Sequence, residues 1–269
     1  MRILLLILLF LLPSLRADTD LHSETCAQLI DDLQNLESPT AGLHPTAWVS
    51  QFLAEEAEPK FAGGVLGSQK PNVFQPMREL VVRGAAAIPE ILRHLDDFRP
   101  TKLVIKEEGV ISWAHICNGY NNRPLRGYTT YKNVEESLEL PYRVLVGDVC
   151  LVILGQITNR PQIGVRYKPS GGVLISSPVR FPEIVACARE DWKDLGASDL
   201  CALFLDDISQ AKYEQEEDGA MRRIRFYFPE KLPEAIEAQK RKANQALQHN
   251  DPSCHESCLR TPRASRGRG

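Results

Sequence analysis

The densest group of residues that could do chemistry lies near the C-terminus, at residues 251–258. Its two cysteines are four residues apart, which would place both thiols on one face of a helical turn. Zinc in proteins normally takes four ligands, so both nearby histidines would have to complete the set. The candidate ligands are His249, Cys254, His255 and Cys258. A metal- or thiol-dependent protein using Cys254 and Cys258 is one hypothesis. Because no second cysteine pair has zinc spacing, the sequence favours no metal site and no cofactor.

Nucleophilic catalysis has one scattered candidate set. His115, Asp148 and Cys150 could serve as base, orienting group and nucleophile, although nothing in the sequence brings them together. The chain lacks the Gly-x-Ser-x-Gly elbow, the His-Glu-x-x-His and Ser-x-x-Lys motifs and the glycine-rich dinucleotide fingerprint. An exported hydrolase with an unrecognised active site is therefore an alternative, and the sequence favours a protein that is not an enzyme.

A central polar segment, residues 118–133, has a composition typical of recognition. It combines asparagines with flat amphipathic tyrosine rings and fork-shaped arginine donors, which are enriched where partners are held. Neighbouring predicted hairpins contribute further candidates. The predicted binding residues are Trp113, Tyr120, Arg123, Arg126, Tyr128, Arg166 and Tyr167. We expect these side chains to bind a protein or a glycan.

A five-residue unit recurs three times in the chain: an apolar residue, proline, glutamate and two more apolar residues. It occurs at residues 88–92, 181–185 and 232–236. Proline is well tolerated in the first turn of a helix, where the backbone N–H has no partner within the helix. Each copy therefore predicts the start of a helix.

The first copy belongs to a longer pattern, Met77–Asp97, in which Gly84 separates two amphipathic helices and Pro89 opens the second. This stretch resembles a HEAT-type repeat, notably the short HEAT-like units of bacterial proteins, with looser relatives near Phe181 and Leu232. The resemblance implies helices packed as hairpins. Because the prolines lie 93 and 51 residues apart, we predict an irregular, mainly α fold instead of a regular solenoid.

Between the first two copies the pattern changes to β. Residues 103–105 and 110–113 predict a small β-hairpin within a β and loop insertion near 101–147. Residues 164–167 and 172–175 predict a second hairpin. A buried helix is expected to start at Asp148, which can cap it. The acidic run 214–219 is interpreted as a solvated linker.

The N-terminus predicts export. Arg2 is followed by ten unbroken apolar residues and then by Pro13 and Ala17, which is typical of a signal peptide cut after residue 17. Ten apolar residues are too few to cross a bilayer as a helix, so we expect no membrane span after cleavage. A mostly helical domain would occupy residues 18–250, and a Cys/His segment with a basic disordered tail would occupy 251–269.

Charge argues against nucleic acid as a partner. Removal of residues 1–17 would take away Arg2 and Arg16 and leave 30 basic and 35 acidic residues. Such a balance would repel a polyanion. After cleavage the chain would keep seven cysteines, an odd number that leaves at least one thiol unpaired. Three of them, Cys150, Cys187 and Cys201, lie in apolar helical patterns and are expected to be buried free thiols.

Overall fold

The computed structural model describes residues 24–38, 52–55, 74–106, 110–112, 141–160, 165–167, 173–175, 177–211 and 214–248. Over these residues the chain is mainly helical with a small antiparallel sheet, which confirms the predicted fold class. The helices are α1 (Cys26–Asp32), α2 (Gln75–Val82), α3 (Ile88–Arg93), α4 (Val146–Thr158), α5 (Pro182–Trp192), α6 (Ala197–Gln210), α7 (Glu214–Tyr227) and α8 (Leu232–Gln248). The strands are β1 (Pro100–Ile105), β2 (Val110–Ser112), β3 (Tyr142–Leu145), β4 (Val165–Tyr167) and β5 (Val173–Ile175).

The three proline–glutamate units all begin helices, as predicted. Pro182 is the first residue of α5, whereas Pro89 and Pro233 are the second residues of α3 and α8. In the first unit Gly84 adopts φ 56°, a left-handed conformation that favours glycine, and it turns the chain from α2 into α3. The hydroxyl of Tyr227 donates to the Val81 carbonyl beside this turn, so the end of α7 packs on it. The HEAT-type resemblance itself stays a prediction.

Helix α4 lies at the centre of the structure. Every one of its residues is buried, and it contacts α2, α3 and β3. A helix that is apolar on all sides requires neighbours on all sides. Its first two N–H groups, those of Val146 and Gly147, donate to the carbonyls of Arg99 and Asp97 at 2.9 and 3.0 Å. The start of α4 is thereby tied to the segment between α3 and β1.

Gly147 permits this close approach. A Cβ atom at this position would lie 2.4 Å from the Leu95 carbonyl oxygen and 2.7 Å from Val179 Cγ2. We therefore expect Gly147→Ala to lower the free energy of unfolding by about 1 to 3 kcal/mol, because a backbone group must move to make room. Urea denaturation measures the loss. The control is Gly196→Ala before α6, where the new Cβ would lie 3.3 Å from Asp199 Oδ2 and the cost should stay below about 1 kcal/mol. Equal losses in both variants would contradict the packing of α4 on Leu95.

Strand pairing differs from the predicted first hairpin. Strand β1 pairs antiparallel with β3 and not with β2, and β2 pairs in parallel with β5. The prediction joined β1 to β2 because they are neighbours in sequence. In the structure β3 runs directly into α4, whose N-terminus is bonded to the residues just before β1, and Thr101 Oγ1 donates to the Val144 carbonyl at 2.9 Å. The predicted second hairpin is confirmed, since β4 and β5 pair antiparallel.

The predicted linker at 214–219 was also wrong, because these residues form the first turns of α7. Acidic residues at a helix start interact favourably with the helix dipole. Glu216 is buried, and Glu217 accepts from Gln239 Nε2 at 2.6 Å and from Lys242 Nζ at 2.5 Å on α8. The acidic run therefore has partners on the neighbouring helix, and these partners cannot be read from local composition.

A buried ionic network closes the C-terminal end of α4. Asn159 takes a left-handed conformation with φ 56° and ends the helix. Its amide donates to Asp207 Oδ2 and to the Glu216 carbonyl, both at 3.1 Å. Arg160 forms a two-pronged ion pair with Asp207, with nitrogen–oxygen distances of 2.6 and 3.0 Å. This network joins α4 to α6 and α7 inside the core.

Among the described residues, no helix combines the length and hydrophobicity needed to cross a bilayer. The predicted signal peptide and the predicted tail lie outside the described residues.

Candidate functional site

Most of the predicted binding residues, namely Trp113, Tyr120, Arg123, Arg126 and Tyr128, lie outside the described residues. Arg166 and Tyr167 are on β4. In the three-stranded sheet Arg166 aligns with Leu174 of β5, and Leu174 aligns with Ile111 of β2. The sheet therefore joins the strand that carries two predicted contact residues to the strand that runs into Trp113.

Both ends of the central insertion are tied to the helical framework. We define the insertion as residues 113–140, between β2 and β3. Before it, β2 pairs with β5 and through β5 with β4, which contacts α4. After it, β3 pairs with β1 and continues into α4. The insertion thus leaves and rejoins the framework at paired strands.

A buried acid and a buried phenol secure the point where the insertion rejoins. Asp148 Oδ2 accepts a hydrogen bond from the Tyr142 hydroxyl at 2.7 Å and another from the Leu145 N–H at 2.9 Å. Helix α4 begins at Val146, two residues before the predicted start, and Asp148 caps it from the third helical position. Aspartate there satisfies an N–H group that has no partner within the helix. One carboxylate therefore fixes both β3 and the start of α4.

The pKa values of both acidic groups at this junction are raised. Burial raises the pKa of Asp148 to about 6, while hydrogen bonds from Leu145 and Tyr142, together with Ser177 and the positive charge of Arg180, limit the rise. Burial also raises the pKa of Tyr142, and the neighbouring Asp148 charge raises it further. Tyr142 therefore remains a hydrogen-bond donor at neutral pH.

The turn before α5 covers the junction. The Arg180 guanidinium carbon lies 5.5 Å from the centre of the Tyr142 ring, a cation–π distance. Ser177 is buried close to Tyr142 and Asp148, and its hydroxyl lowers the pKa of both groups. Among the described residues, no polar atom lies in hydrogen-bonding geometry with Ser177 Oγ, so this effect acts through proximity. Since Tyr142 and Asp148 are at most 2% exposed, the cluster holds the strand and does not present a reactive group to solvent. The sequence singled out Asp148 as a helix cap but not its partner Tyr142, which carries no local pattern.

A second polar cluster fixes the start of β1. Arg99 donates to Asp97 Oδ2 and to Asp31 Oδ1 of α1, both at 2.6 Å. His94 Nδ1 lies 2.9 Å from the same Asp97 carboxylate. Burial opposes ionisation of Asp97, but the bonds from Arg99 and His94 outweigh it and lower its pKa. The cluster ties β1 to α1 and α3.

The candidate nucleophile Cys150 is fully buried in α4, and burial raises the pKa of its thiol. A thiol in such surroundings is protonated and inert at neutral pH, so Cys150 lacks the properties of a nucleophile. Its proposed partner His115 lies outside the described residues. Cys150 and Cys201 are buried free thiols, as predicted, whereas Cys187 is half-buried.

The predicted metal ligands His249, Cys254, His255 and Cys258 also lie outside the described residues. Within the part of the chain that the structure describes, no group of three or more histidine, cysteine, aspartate or glutamate side chains is arranged to hold a metal ion.

Neither a protein-family model nor a curated protein nor a solved structure matches this chain.

Proposed function

We propose that this chain is an exported helical scaffold that binds another macromolecule through its central insertion. The observation that carries the proposal is the attachment of the insertion at both ends. Strand β2 before it and strand β3 after it are each paired into a sheet, and β3 is fixed further by the buried Tyr142–Asp148 bond. Binding loops commonly extend from such rigid frameworks.

The composition of the insertion favours an acidic partner. Residues 118–133 carry three basic side chains, Arg123, Arg126 and Lys132, and no acidic one, whereas the whole chain has a net charge of −3. Arginine forks bind carboxylates in a bidentate manner, and tyrosine rings add contact area at low entropic cost. A protein surface or a glycan that presents carboxylates would satisfy both kinds of side chain. Export, the second part of the proposal, is supported by the pattern of residues 1–17.

Affinity capture tests the binding site. The chain beginning at residue 18 is compared with a Tyr120→Ala/Arg123→Ala/Tyr128→Ala variant, using extracellular protein and glycan fractions. We expect the variant to capture much less of the partner, because it lacks two tyrosine rings and one arginine guanidinium group. The matched control is Phe98→Ala/Arg93→Ala, which removes an exposed ring and an exposed arginine from the helical body; Phe98 is 77% exposed and the Arg93 side chain 70% exposed. The control should capture the same partner as the unaltered chain.

Identical capture by the unaltered chain and the triple variant would contradict the proposed role of the insertion. Loss of capture in the control alone would place the contact on the helical body instead. Far-UV circular dichroism of each chain establishes that its helices are retained.

A further inference from the structure

Residues 52–55 form a short turn that is seated in a groove between α2, α4 and α7. The Glu55 N–H donates to the Phe52 carbonyl at 3.1 Å and closes the turn. Its first three residues are buried, with exposed fractions of 4% for Phe52, 4% for Leu53 and 1% for Ala54. We call the groove that receives this turn the turn seat.

The turn seat holds Phe52 by its ring. The Arg223 guanidinium carbon lies 4.7 Å from the ring centre, within the range of a cation–π interaction. Phe226 and Tyr227 meet the same ring edge-on, with centroid distances of 5.4 and 5.5 Å. Such edge-to-face pairs contribute beyond the area that they bury. The geometry of these contacts suits an aromatic side chain.

Polar contacts of the turn seat are directed to the backbone and to one acidic side chain. Gln156 Oε1 of α4 accepts from the Leu53 N–H at 3.2 Å. Arg78 of α2 donates to the Ala54 carbonyl at 3.4 Å, and Arg222 of α7 lies 3.3 Å from Glu55 Oε2. The turn is thus contacted at two backbone groups and at the acidic side chain of its fourth residue.

The seat has supports of its own that do not involve the turn. Arg223 donates to the Gln156 carbonyl, Asn159 Oδ1 and the Gly219 carbonyl at 2.7, 2.9 and 2.8 Å. Arg222 is also paired with Asp218 at 2.9 Å, one helical turn away. These bonds hold both arginines through partners outside the turn. A site whose donors are held in advance loses little entropy when a ligand arrives.

We infer that the turn seat is a peptide-binding site, occupied here by the chain's own residues. It would accept, from a partner protein, a β-turn with the pattern aromatic, apolar, small, acidic. The chain's own turn would compete with such a partner, since a tethered segment is present at a high effective concentration. This inference is independent of the binding role proposed for the insertion.

Peptide binding to a vacated seat is the test. The full chain carrying Phe52→Ala/Leu53→Ala is titrated with a synthetic peptide of the sequence of residues 48–58, using fluorescence anisotropy and thermal unfolding. We expect saturable binding and a rise in the midpoint of unfolding. The same peptide with alanine in place of its phenylalanine should bind at least tenfold more weakly. Adding Arg222→Ala to the chain should weaken binding several-fold and reduce its salt dependence, because the acidic side chain loses its partner.

The unaltered chain should bind the peptide at least tenfold more weakly than the vacated chain, since its seat is filled. If the vacated chain has lost its helical circular dichroism, the peptide is expected to restore it. The inference is overturned if the peptide neither binds the vacated chain nor restores its helical signal, or if the phenylalanine-free peptide acts equally well.

Discussion

Asp207→Ala is expected to lower the free energy of unfolding by about 3 to 5 kcal/mol, because it leaves the Arg160 guanidinium buried without its carboxylate. The side chains of Arg160 and Asp207 are 4% and 0% exposed, so water cannot replace the lost partner. The same substitution also removes an acceptor from Asn159, which ends α4. Urea denaturation at neutral pH measures the loss.

Two comparisons isolate the cause. Asp96→Ala breaks the Arg189–Asp96 ion pair, whose side chains are 41% and 56% exposed, and should cost less than about 1 kcal/mol. Adding Arg160→Met to Asp207→Ala should recover at least about 1 kcal/mol, since it removes the uncompensated charge. If Asp207→Ala costs no more than Asp96→Ala, the buried network does not stabilise the end of α4.

In the unaltered chain, ionisation of Asp148 is expected to lower the free energy of unfolding by about 3 kcal/mol as the pH rises from about 4 to about 7. We expect Asp148→Asn to abolish this loss. In the folded chain burial raises the pKa of Asp148 to about 6 from its ordinary value of 3.8. The folded state therefore binds a proton that the unfolded state has released over this interval. Stability from this group is greatest at low pH and falls as the pH rises through 6. Asparagine cannot ionise, so the variant lacks this contribution.

The measurement is the difference in unfolding free energy between the variant and the unaltered chain at two pH values. On going from pH 5 to pH 7.5 that difference should move in favour of the asparagine variant by about 1 to 2 kcal/mol. Asp199→Asn is the matched control, because Asp199 also accepts an N–H at a helix start, from Gly196 at 3.1 Å, but is exposed. The control should show no comparable change. A pH-independent effect of Asp148→Asn would contradict the buried acid at this junction.

Local sequence rules predicted the helix starts well. Proline in the first turn and glycine at a left-handed position act within a few residues, so Pro89, Pro182 and Gly84 could be interpreted from sequence alone. The antiparallel pairing of β4 with β5 was predictable for the same reason, because only five residues of sequence separate the two strands. Short-range geometry is visible in a short window of sequence.

Long-range pairing was not predictable. Strand β1 meets β3 across more than 35 residues, and no strand was predicted at residues 142–145, because a partner so distant in sequence leaves no local signal. The acidic start of α7 looked like a linker because its partners Gln239 and Lys242 lie on another helix. The Tyr142–Asp148 junction escaped for a similar reason, since one carboxylate serves a strand and a helix at once.

In the function that we propose, the helical body is a frame and the insertion is the contact surface, and one replacement separates the two roles. In a chain in which residues 116–137 are exchanged for a Gly/Ser linker of about ten residues, β2, β3 and α4 are left intact. Partner capture and the midpoint of thermal unfolding are measured on this same chain. We expect capture to be lost while the cooperative unfolding transition is retained. Undiminished capture by a folded chain that lacks the insertion would contradict it.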